Sequence, residues 1–174
     1  MHKIYLAATF EWIDRIRECA KVMRSLGYTV TSRWHEEQAS NDPKTNITKA
    51  DGSTDRSRDV QVFGYAIRDI RDILAADTLV LFSAGTAIIR NTRLAEFGGA
   101  LFTGRQCIVI GPEDPKLRSN LDTIFVLLQD LPPDLRGEGI KPIQHYNTWD
   151  EFVGTLVARS QHGDLRNTPL GVLG

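Results

Sequence analysis

Residues 77–111, DTLVLFSAGTAIIRNTRLAEFGGALFTGRQCIVIG, contain the pattern that decides the fold. Two apolar runs, at 78–82 and 107–110, show no alternation between apolar and polar residues. Strands that are apolar on both faces are typical of parallel sheets with helices on either side. Neighbouring parallel strands are joined by a crossover, and residues 92–103 are the stretch that can form a helix between these runs. We therefore predict a strand, a helix and a second strand, with Glu96 near the start of the helix.

The chain before this stretch has the pattern of another strand, helix and strand. Residues 3–8 form a short apolar strand, and apolar residues recur at helical spacing from 12 to 26. Thr9 is the predicted N-cap of this helix, and Gly27 is the predicted residue just after its last turn. Residues 28–32 are rich in types that favour strands. The N-terminal part is therefore expected to add two strands and a helix to the same sheet.

Helical periodicity returns at 62–76, with Asp69 on the apolar side of the helix. A buried carboxylate is costly unless it is hydrogen-bonded, so we expect Asp69 to be paired or functional. Near the C-terminus, residues 143–146 predict a last short strand and Thr148 predicts the cap of a final helix. Together these elements predict an α/β fold of the flavodoxin-like or Rossmann-like kind. Its parallel sheet would have about five strands, with helices on both faces.

The length of 174 residues suits one domain with a full hydrophobic core. We assign residues 1–162 to that domain and residues 163–174, which lack a sustained pattern, to a C-terminal tail. Residues 33–60 contain many residues of the set Asn, Asp, Pro, Gly, Ser and Thr and almost no apolar ones, which predicts a long loop that either covers the active site or is disordered. Residues 122–128 fit a strand or a helical turn equally well.

Charge and composition narrow the class of partner. The formal net charge is −1, with 21 basic and 22 acidic residues, so no overall field favours a nucleic-acid polymer or an anionic membrane. Cys19 and Cys107 are isolated within apolar patterns, which is typical of reduced thiols in the cytoplasm. No apolar run has the length or the flanks of a membrane span or a signal peptide. We expect a cytoplasmic protein with a small-molecule partner.

Several common kinds of active site are missing from the sequence. The four histidines are His2, His35, His145 and His162. They are scattered and none belongs to an HExxH helix pair, so we expect no metal site. The sequence has no GxSxG nucleophile elbow, no Walker A sequence and no GxGxxG after a strand, and we expect no cofactor. Two carboxylates remain, Asp69 and Glu96, on helices whose ends can meet at one edge of the sheet.

Three segments have an informative order and spacing: YLAATF at 5–10, RDIRDILAAD at 68–77 and RNTRLAEFGGALFTG at 90–104. Together they resemble the nucleoside 2-deoxyribosyltransferase superfamily, which includes the 2′-deoxynucleoside 5′-phosphate N-hydrolases. The resemblance extends over residues 3–111. It implies a nucleotide or nucleoside substrate. It also implies a homodimer or larger homo-oligomer whose subunits complete each other's pockets.

The resemblance also implies catalytic roles for the two acids. In the superfamily, the glutamate at the position of Glu96 attacks the anomeric carbon and expels the base, and the aspartate at the position of Asp69 orients or protonates the substrate. Retaining glycosyl transfer has a physical need for such a pair, a carboxylate within about 5 Å of a group that delivers a proton. Without these roles, Glu96 would complement the helix dipole and Asp69 would bond neighbouring backbone groups.

The predicted substrate-binding residues are Tyr5, Ala7, Ala8, Phe10, Trp34, Ser83, Arg90, Arg93 and Gly98. The small residues of this set would let a ligand approach the backbone closely. The aromatic residues would line the base site as stacking surfaces. The two arginines would bind a phosphate near a helix N-terminus, or would be solvated loop charges.

Arg90 departs from the transferases of the superfamily, which carry an acidic residue six positions before the glutamate. The departure favours hydrolysis of the N-glycosidic bond of a (deoxy)nucleoside 5′-monophosphate, modified nucleotides included, through a glycosyl-Glu96 intermediate. Two alternatives stay open. One is base exchange between nucleosides by a nucleoside 2-deoxyribosyltransferase, and the other is nucleotide binding by a catalytically inactive sensor.

Overall fold

The computed structural model describes residues 1–9, 12–36, 56–83, 92–111, 139 and 141–161, and for 56–63, 65, 92–94, 160 and 161 it describes the backbone alone. Its strands are β1 (Lys3–Ala7), β2 (Thr29–Val30), β3 (Thr78–Phe82), β4 (Gln106–Ile110) and β5 (Gln144–Tyr146). Its helices are α1 (Ile13–Ser25), α2 (Arg56–Ala75), α3 (Thr92–Phe102) and α4 (Trp149–Gln161), with a 3-10 turn at Trp34–Glu36.

The described strands form one parallel sheet in the order β2-β1-β3-β4-β5. Tyr5 of β1 lies opposite Leu79 of β3, and Leu79 lies opposite Cys107 of β4. The strand order reverses between β1 and β3, because the chain first moves out to β2 and then returns past β1. The prediction of an α/β, flavodoxin-like fold is confirmed. In such sheets ligands bind at the carboxyl ends of the strands, beside the point of reversal.

The core lies along the three central strands. Every residue of β3 and β4 is buried, and so are residues 4–7 of β1. α2 and α3 pack against each other and against β1, while α1 packs against β2. α4 places the rings of Trp149 and Phe152 beside those of Phe82 and Tyr146. The central strands are covered by helices, which explains why their sequences do not alternate.

The two predicted N-caps have different outcomes. Thr148 caps α4 as predicted, because its hydroxyl accepts a hydrogen bond from the Glu151 N–H at 3.0 Å. The prediction for Thr9 is wrong. The Trp12 N–H donates to the Thr9 carbonyl at 3.0 Å, and the helix begins only after this extra turn, with no side-chain cap.

Several boundaries differ from the predicted ones. α2 begins at Arg56, inside the predicted loop at 33–60, and the 3-10 turn occupies the first part of that range. Residues 37–55 of the predicted loop lie outside the described residues, as do the ambiguous segment 122–128 and the predicted tail at 163–174.

Gly27 ends α1 in the left-handed conformation, as its predicted position after the last turn requires. Its φ is +87°, its N–H donates to the Arg24 carbonyl at 3.0 Å, and the Tyr28 N–H donates to the Met23 carbonyl at 3.1 Å. These two bonds form a Schellman motif, which satisfies the last carbonyls of a helix. The motif turns the chain directly from α1 into β2.

Gly27→Ala is expected to lower the free energy of unfolding by about 1–2 kcal/mol, because a side chain is strained in this conformation. Gly154→Ala is the matched control, since Gly154 lies inside α4 with no atom within 4 Å of an added Cβ. The control should raise the free energy of unfolding by about 0.5–1 kcal/mol. Urea unfolding followed by circular dichroism measures both changes. Equal effects would contradict the role assigned to Gly27.

Candidate active site

Tyr5 lies at the centre of the candidate site. It is the middle residue of β1 and has no exposed surface. Side chains alternate between the faces of a strand, so Tyr5 and Ala7 point to one face while Ile4 and Leu6 point to the other. The helices α2 and α3, which pack together and against β1, carry the two acids predicted to be catalytic.

Three carboxylates act on the Tyr5 hydroxyl. Burial raises the pKa of the phenol far above its ordinary value, and the charges of Glu96, Asp69 and Asp72, in that order, raise it further. Hydrogen bonding to Glu96 is also among the causes, although the hydroxyl makes no hydrogen bond of strict geometry within the described residues. Tyr5 therefore stays protonated across the physiological pH range, as a neutral donor facing acids.

Asp69 and Glu96 both act on the Tyr5 hydroxyl. Both lie close enough to Tyr5 for their charges to raise its pKa, although they come from two different helices. The Asp69 side chain is 17 % exposed, and its Oδ1 lies 3.5 Å from Nη2 of Arg68, the outer limit of a hydrogen bond. Glu96 is partly exposed. A partly exposed carboxylate beside a buried donor suits a nucleophile that faces a bound ligand.

Asp72 and Arg33 belong to the same cluster and were not predicted from the sequence. Asp72 is 5 % exposed, and its carboxylate accepts hydrogen bonds from the Arg33 guanidinium at 2.6–3.1 Å. The charge of Asp72 acts on Tyr5, and the charge of Asp69 acts on Arg33. A signal for Asp72 was present, because it follows Asp69 by three residues and so lies one turn along the same side of α2.

Four of the predicted substrate-binding residues lie at strand ends or in α3. Ala7 ends β1 and is fully buried, and Ala8 packs against the core just after it. Ser83 follows β3, and its N–H donates to the Ile110 carbonyl at 2.9 Å. Gly98 lies in α3 with open space where a Cβ would be. Ala7, Ala8 and Ser83 thus lie at the carboxyl edge of adjacent strands, where ligands bind in open α/β sheets.

Trp34 packs in the core. It is 7 % exposed, and its indole N–H donates to the Leu6 carbonyl at 2.8 Å, which ties the 3-10 turn to β1. Stacking of Trp34 on a base stays a prediction. Phe10 and Arg90 lie outside the described residues, as does the side chain of Arg93, and their roles stay predictions as well.

His35 is a buried neutral histidine next to Trp34. It is 1 % exposed, and neither ring nitrogen makes a hydrogen bond of strict geometry within the described chain. Its ring meets that of Trp34 edge-on, with 5.8 Å between centroids. Burial is the largest influence and lowers the pKa of His35 below the ordinary 6.5, while the nearby Glu36 acts in the opposite direction.

The described residues contain no cluster of His, Cys, Asp or Glu suited to hold a metal ion. None of the described helices combines the length and apolar composition needed to cross a bilayer. Cys19 and Cys107 are both free and buried. Burial raises the pKa of the Cys19 thiol to about 11 and that of Cys107 to about 12, so both remain neutral and unreactive at physiological pH.

No protein-family model matches this sequence, and no curated protein sequence matches it. Among solved structures, the fold is similar to that of the CMP N-glycosidase BcmB of Clostridium botulinum, with a TM-score of 0.50. The match covers 90 % of this chain and 98 % of that chain, and the two sequences are 15 % identical. At this identity the likeness shows that the two proteins share a fold.

His35 is expected to make the folded protein less stable as the pH falls below 6.5. Its pKa is lower in the folded state than in the unfolded chain, so the unfolded chain takes up the proton first. The contribution is fully present above the unfolded-state pKa and is lost as the pH falls towards the folded-state value. His35→Gln should therefore flatten the decline of the urea midpoint on acidification, measured in buffers from neutral pH down to about pH 5.

His2 contributes with the same sign, because burial lowers its pKa as well. Adding His2→Gln to His35→Gln should flatten the pH dependence further. A midpoint that declines equally steeply in the native protein and in His35→Gln would contradict the assignment.

Proposed function

We propose that this protein hydrolyses the N-glycosidic bond of a nucleoside 5′-monophosphate, with deoxynucleotides and modified nucleotides in the substrate class. The observation that carries the proposal is that the charges of Glu96 and Asp69, on two different helices, both raise the pKa of the buried Tyr5 hydroxyl. Two likenesses support it. Three segments of the sequence resemble the nucleoside 2-deoxyribosyltransferase superfamily, and the fold is shared with a CMP N-glycosidase.

In the first step, the Glu96 carboxylate attacks the anomeric carbon of the sugar. The bond between this carbon and the base nitrogen breaks, its electron pair leaves with the base, and a glycosyl ester of Glu96 forms. The departing base needs a proton, and Asp69 is assigned to deliver or orient it. Retaining glycosidases divide the work between two carboxyl groups in the same way.

In the second step, water attacks the anomeric carbon and the ester bond to Glu96 breaks. The carboxylate is regenerated, and the proton lost by water passes to Asp69, which is then ready for the next cycle. A free base in place of water would complete base exchange, so hydrolysis and transfer share the first step.

Tyr5 supports both steps as a neutral hydrogen-bond donor. Its raised pKa keeps the proton on the phenol, so the hydroxyl does not compete as an acid or base. A neutral donor beside Glu96 stabilises the carboxylate as an anion and fixes the direction of attack. The buried position of Tyr5 in β1 holds this donor in place.

Glu96→Gln is expected to lower kcat by more than about three decades, as removal of a nucleophile does. Nucleotide binding should persist, because the amide has the shape of the carboxylic acid. Free base released from a panel of nucleoside monophosphates and nucleosides, followed by chromatography, measures the rate. Glu18→Gln is the control, because the Glu18 side chain is 70 % exposed on α1 and should be dispensable.

Other outcomes of the same assay assign the other functions. Normal turnover by Glu96→Gln would exclude the glycosyl-enzyme mechanism. A new nucleoside formed after addition of a second base would assign base exchange. Tight nucleotide binding without any product from the native protein would assign a sensor.

We also propose that the protein acts as a homodimer or larger homo-oligomer. Ile70 and Leu74 of α2 are 55 % and 46 % exposed, and Phe102 of α3 is 78 % exposed. Helical spacing places Ile70 and Leu74 together with the apolar residues of α2, yet both are exposed in the single chain. Large exposed apolar side chains on two helices that pack together are typical of a surface covered by another subunit.

Replacement of both Ile70 and Leu74 by Ser is expected to shift the protein to a smaller species, because it removes apolar area that association would bury. Sedimentation velocity measures the shift, and circular dichroism verifies the fold. Lys21→Ser on α1, where the Lys21 side chain is 69 % exposed, should change nothing. A native protein that sediments as a monomer would rule out the oligomer.

A further inference from the structure

The Arg33 guanidinium is bound along one edge and open along the other. Its Nε lies 3.1 Å from both carboxylate oxygens of Asp72, and its Nη2 lies 2.6 Å from Oδ1. The Arg33 backbone N–H also donates to Oδ2 of Asp72, at 3.3 Å. In the part of the chain that the structure describes, Nη1 makes no hydrogen bond.

The two partners differ in exposure. The Asp72 side chain is 7 % exposed, whereas the Arg33 side chain is 55 % exposed. The buried carboxylate therefore holds the guanidinium in one plane through Nε and Nη2, while the Nη1–Nη2 edge faces solvent. A guanidinium fixed in this way presents parallel N–H groups whose spacing matches two oxygens of a phosphate.

Arg33 lies at the carboxyl edge of the sheet. The Leu6 N–H donates to the Ser32 hydroxyl at 3.2 Å, and the Trp34 indole donates to the Leu6 carbonyl at 2.8 Å. These two bonds flank Arg33 and hold it level with the end of β1. Tyr5 directly precedes Leu6 on β1, and the charge of Asp72, the partner of Arg33, acts on the Tyr5 hydroxyl.

The neighbouring cluster is acidic. Asp69, Asp72 and Glu96 place three carboxylates close enough to act on the Tyr5 hydroxyl. A phosphorylated substrate brought to Glu96 would be repelled by these charges unless a cation offset them. Arg33 lies near the cluster, since the charge of Asp69 raises its pKa. Its guanidinium is a cation with N–H donors open to a ligand.

We propose that Arg33 binds the 5′-phosphate of the nucleotide through its Nη1–Nη2 edge and that Asp72 orients it. The assignment rests on the proposed function and adds a specificity-determining residue to it. It places phosphate recognition after β2, on a different segment from Arg90 and Arg93.

The test compares each nucleoside monophosphate with the corresponding nucleoside. Arg33→Gln should lower kcat/KM for the monophosphate by about 100-fold or more, mainly through KM, and should change the value for the nucleoside by less than about twofold. Arg33→Lys keeps the charge but loses the planar pair of N–H donors. Its kcat/KM for the monophosphate should therefore lie between that of the native protein and that of Arg33→Gln. Arg71→Gln makes the same charge change at an exposed position of α2 and should leave both values unchanged.

A double variant, Arg33→Gln with Asp72→Asn, keeps the test valid if the single variant unfolds. It leaves no buried carboxylate without its partner, and its neutral amides still form hydrogen bonds. In the double variant, kcat/KM for the monophosphate should fall relative to that for the nucleoside by as much as in Arg33→Gln. Equal losses for both substrates, or no loss for either, would overturn the assignment.

Binding measurements separate failure of this assignment from failure of the proposed function. Calorimetric titration with 2-deoxyribose 5-phosphate, and with 2-deoxyribose as reference, requires no turnover. The native protein should bind the phosphorylated sugar at least about tenfold more tightly than Arg33→Gln does. Equal affinities, or no binding by the native protein, would overturn the role of Arg33 even if base is released. If the two proteins differ in affinity as expected but the native protein releases no base, the proposed hydrolysis is wrong and the role of Arg33 stands.

Discussion

The candidate site depends on the burial of the Tyr5 hydroxyl among acidic side chains. The hydroxyl has no exposed surface and makes no hydrogen bond of strict geometry within the described residues, and the charges of Glu96, Asp69 and Asp72 all raise its pKa. Tyr5 belongs to a central strand whose register against β3 is fixed by four residue pairs. The pairing of β1 with β3 thus holds the Tyr5 backbone in place, so the hydroxyl keeps a constant position relative to the acids on α2 and α3.

The acidic cluster has an electrostatic cost that neighbouring arginines help to offset. Carboxylates near one another repel, and burial strengthens the repulsion because less water screens it. Asp72 is offset by its paired hydrogen bonds with Arg33, and Asp69 lies beside Arg68. Clusters of neighbouring titratable groups are more common at functional sites than in ordinary cores. A group of neighbouring acids of this kind suits a reaction in which more than one acid takes part.

Local patterns predicted the fold, but not the contacts between distant segments. The runs of β3 and β4 lack alternation because both of their faces are buried, so the sequence indicated a parallel sheet directly. The prediction that Asp69 and Glu96 act together came from the resemblance and from the rule that sites lie at the carboxyl ends of strands. The Arg33–Asp72 pair joins residues 39 positions apart, and neither stands out in its own segment. The hydrogen bond from the Trp34 indole to the Leu6 carbonyl could not be predicted either. The local sequence is the same whether a tryptophan after a strand packs in the core or stacks on a ligand.

Among the described strands, β1, which carries Tyr5, comes first along the chain and lies inside the sheet. Among the described strands, β1 pairs with β2 through two residue pairs and with β3 through four, and Tyr5 lies opposite Leu79. On the ribosome, the apolar surface of β1 must therefore wait for β3 to emerge before it gains its main partner. Such a delay slows folding and leaves an unpaired strand edge open to association with other nascent chains. Because of this strand order, β1 needs protection from association with other chains until β3 has been translated.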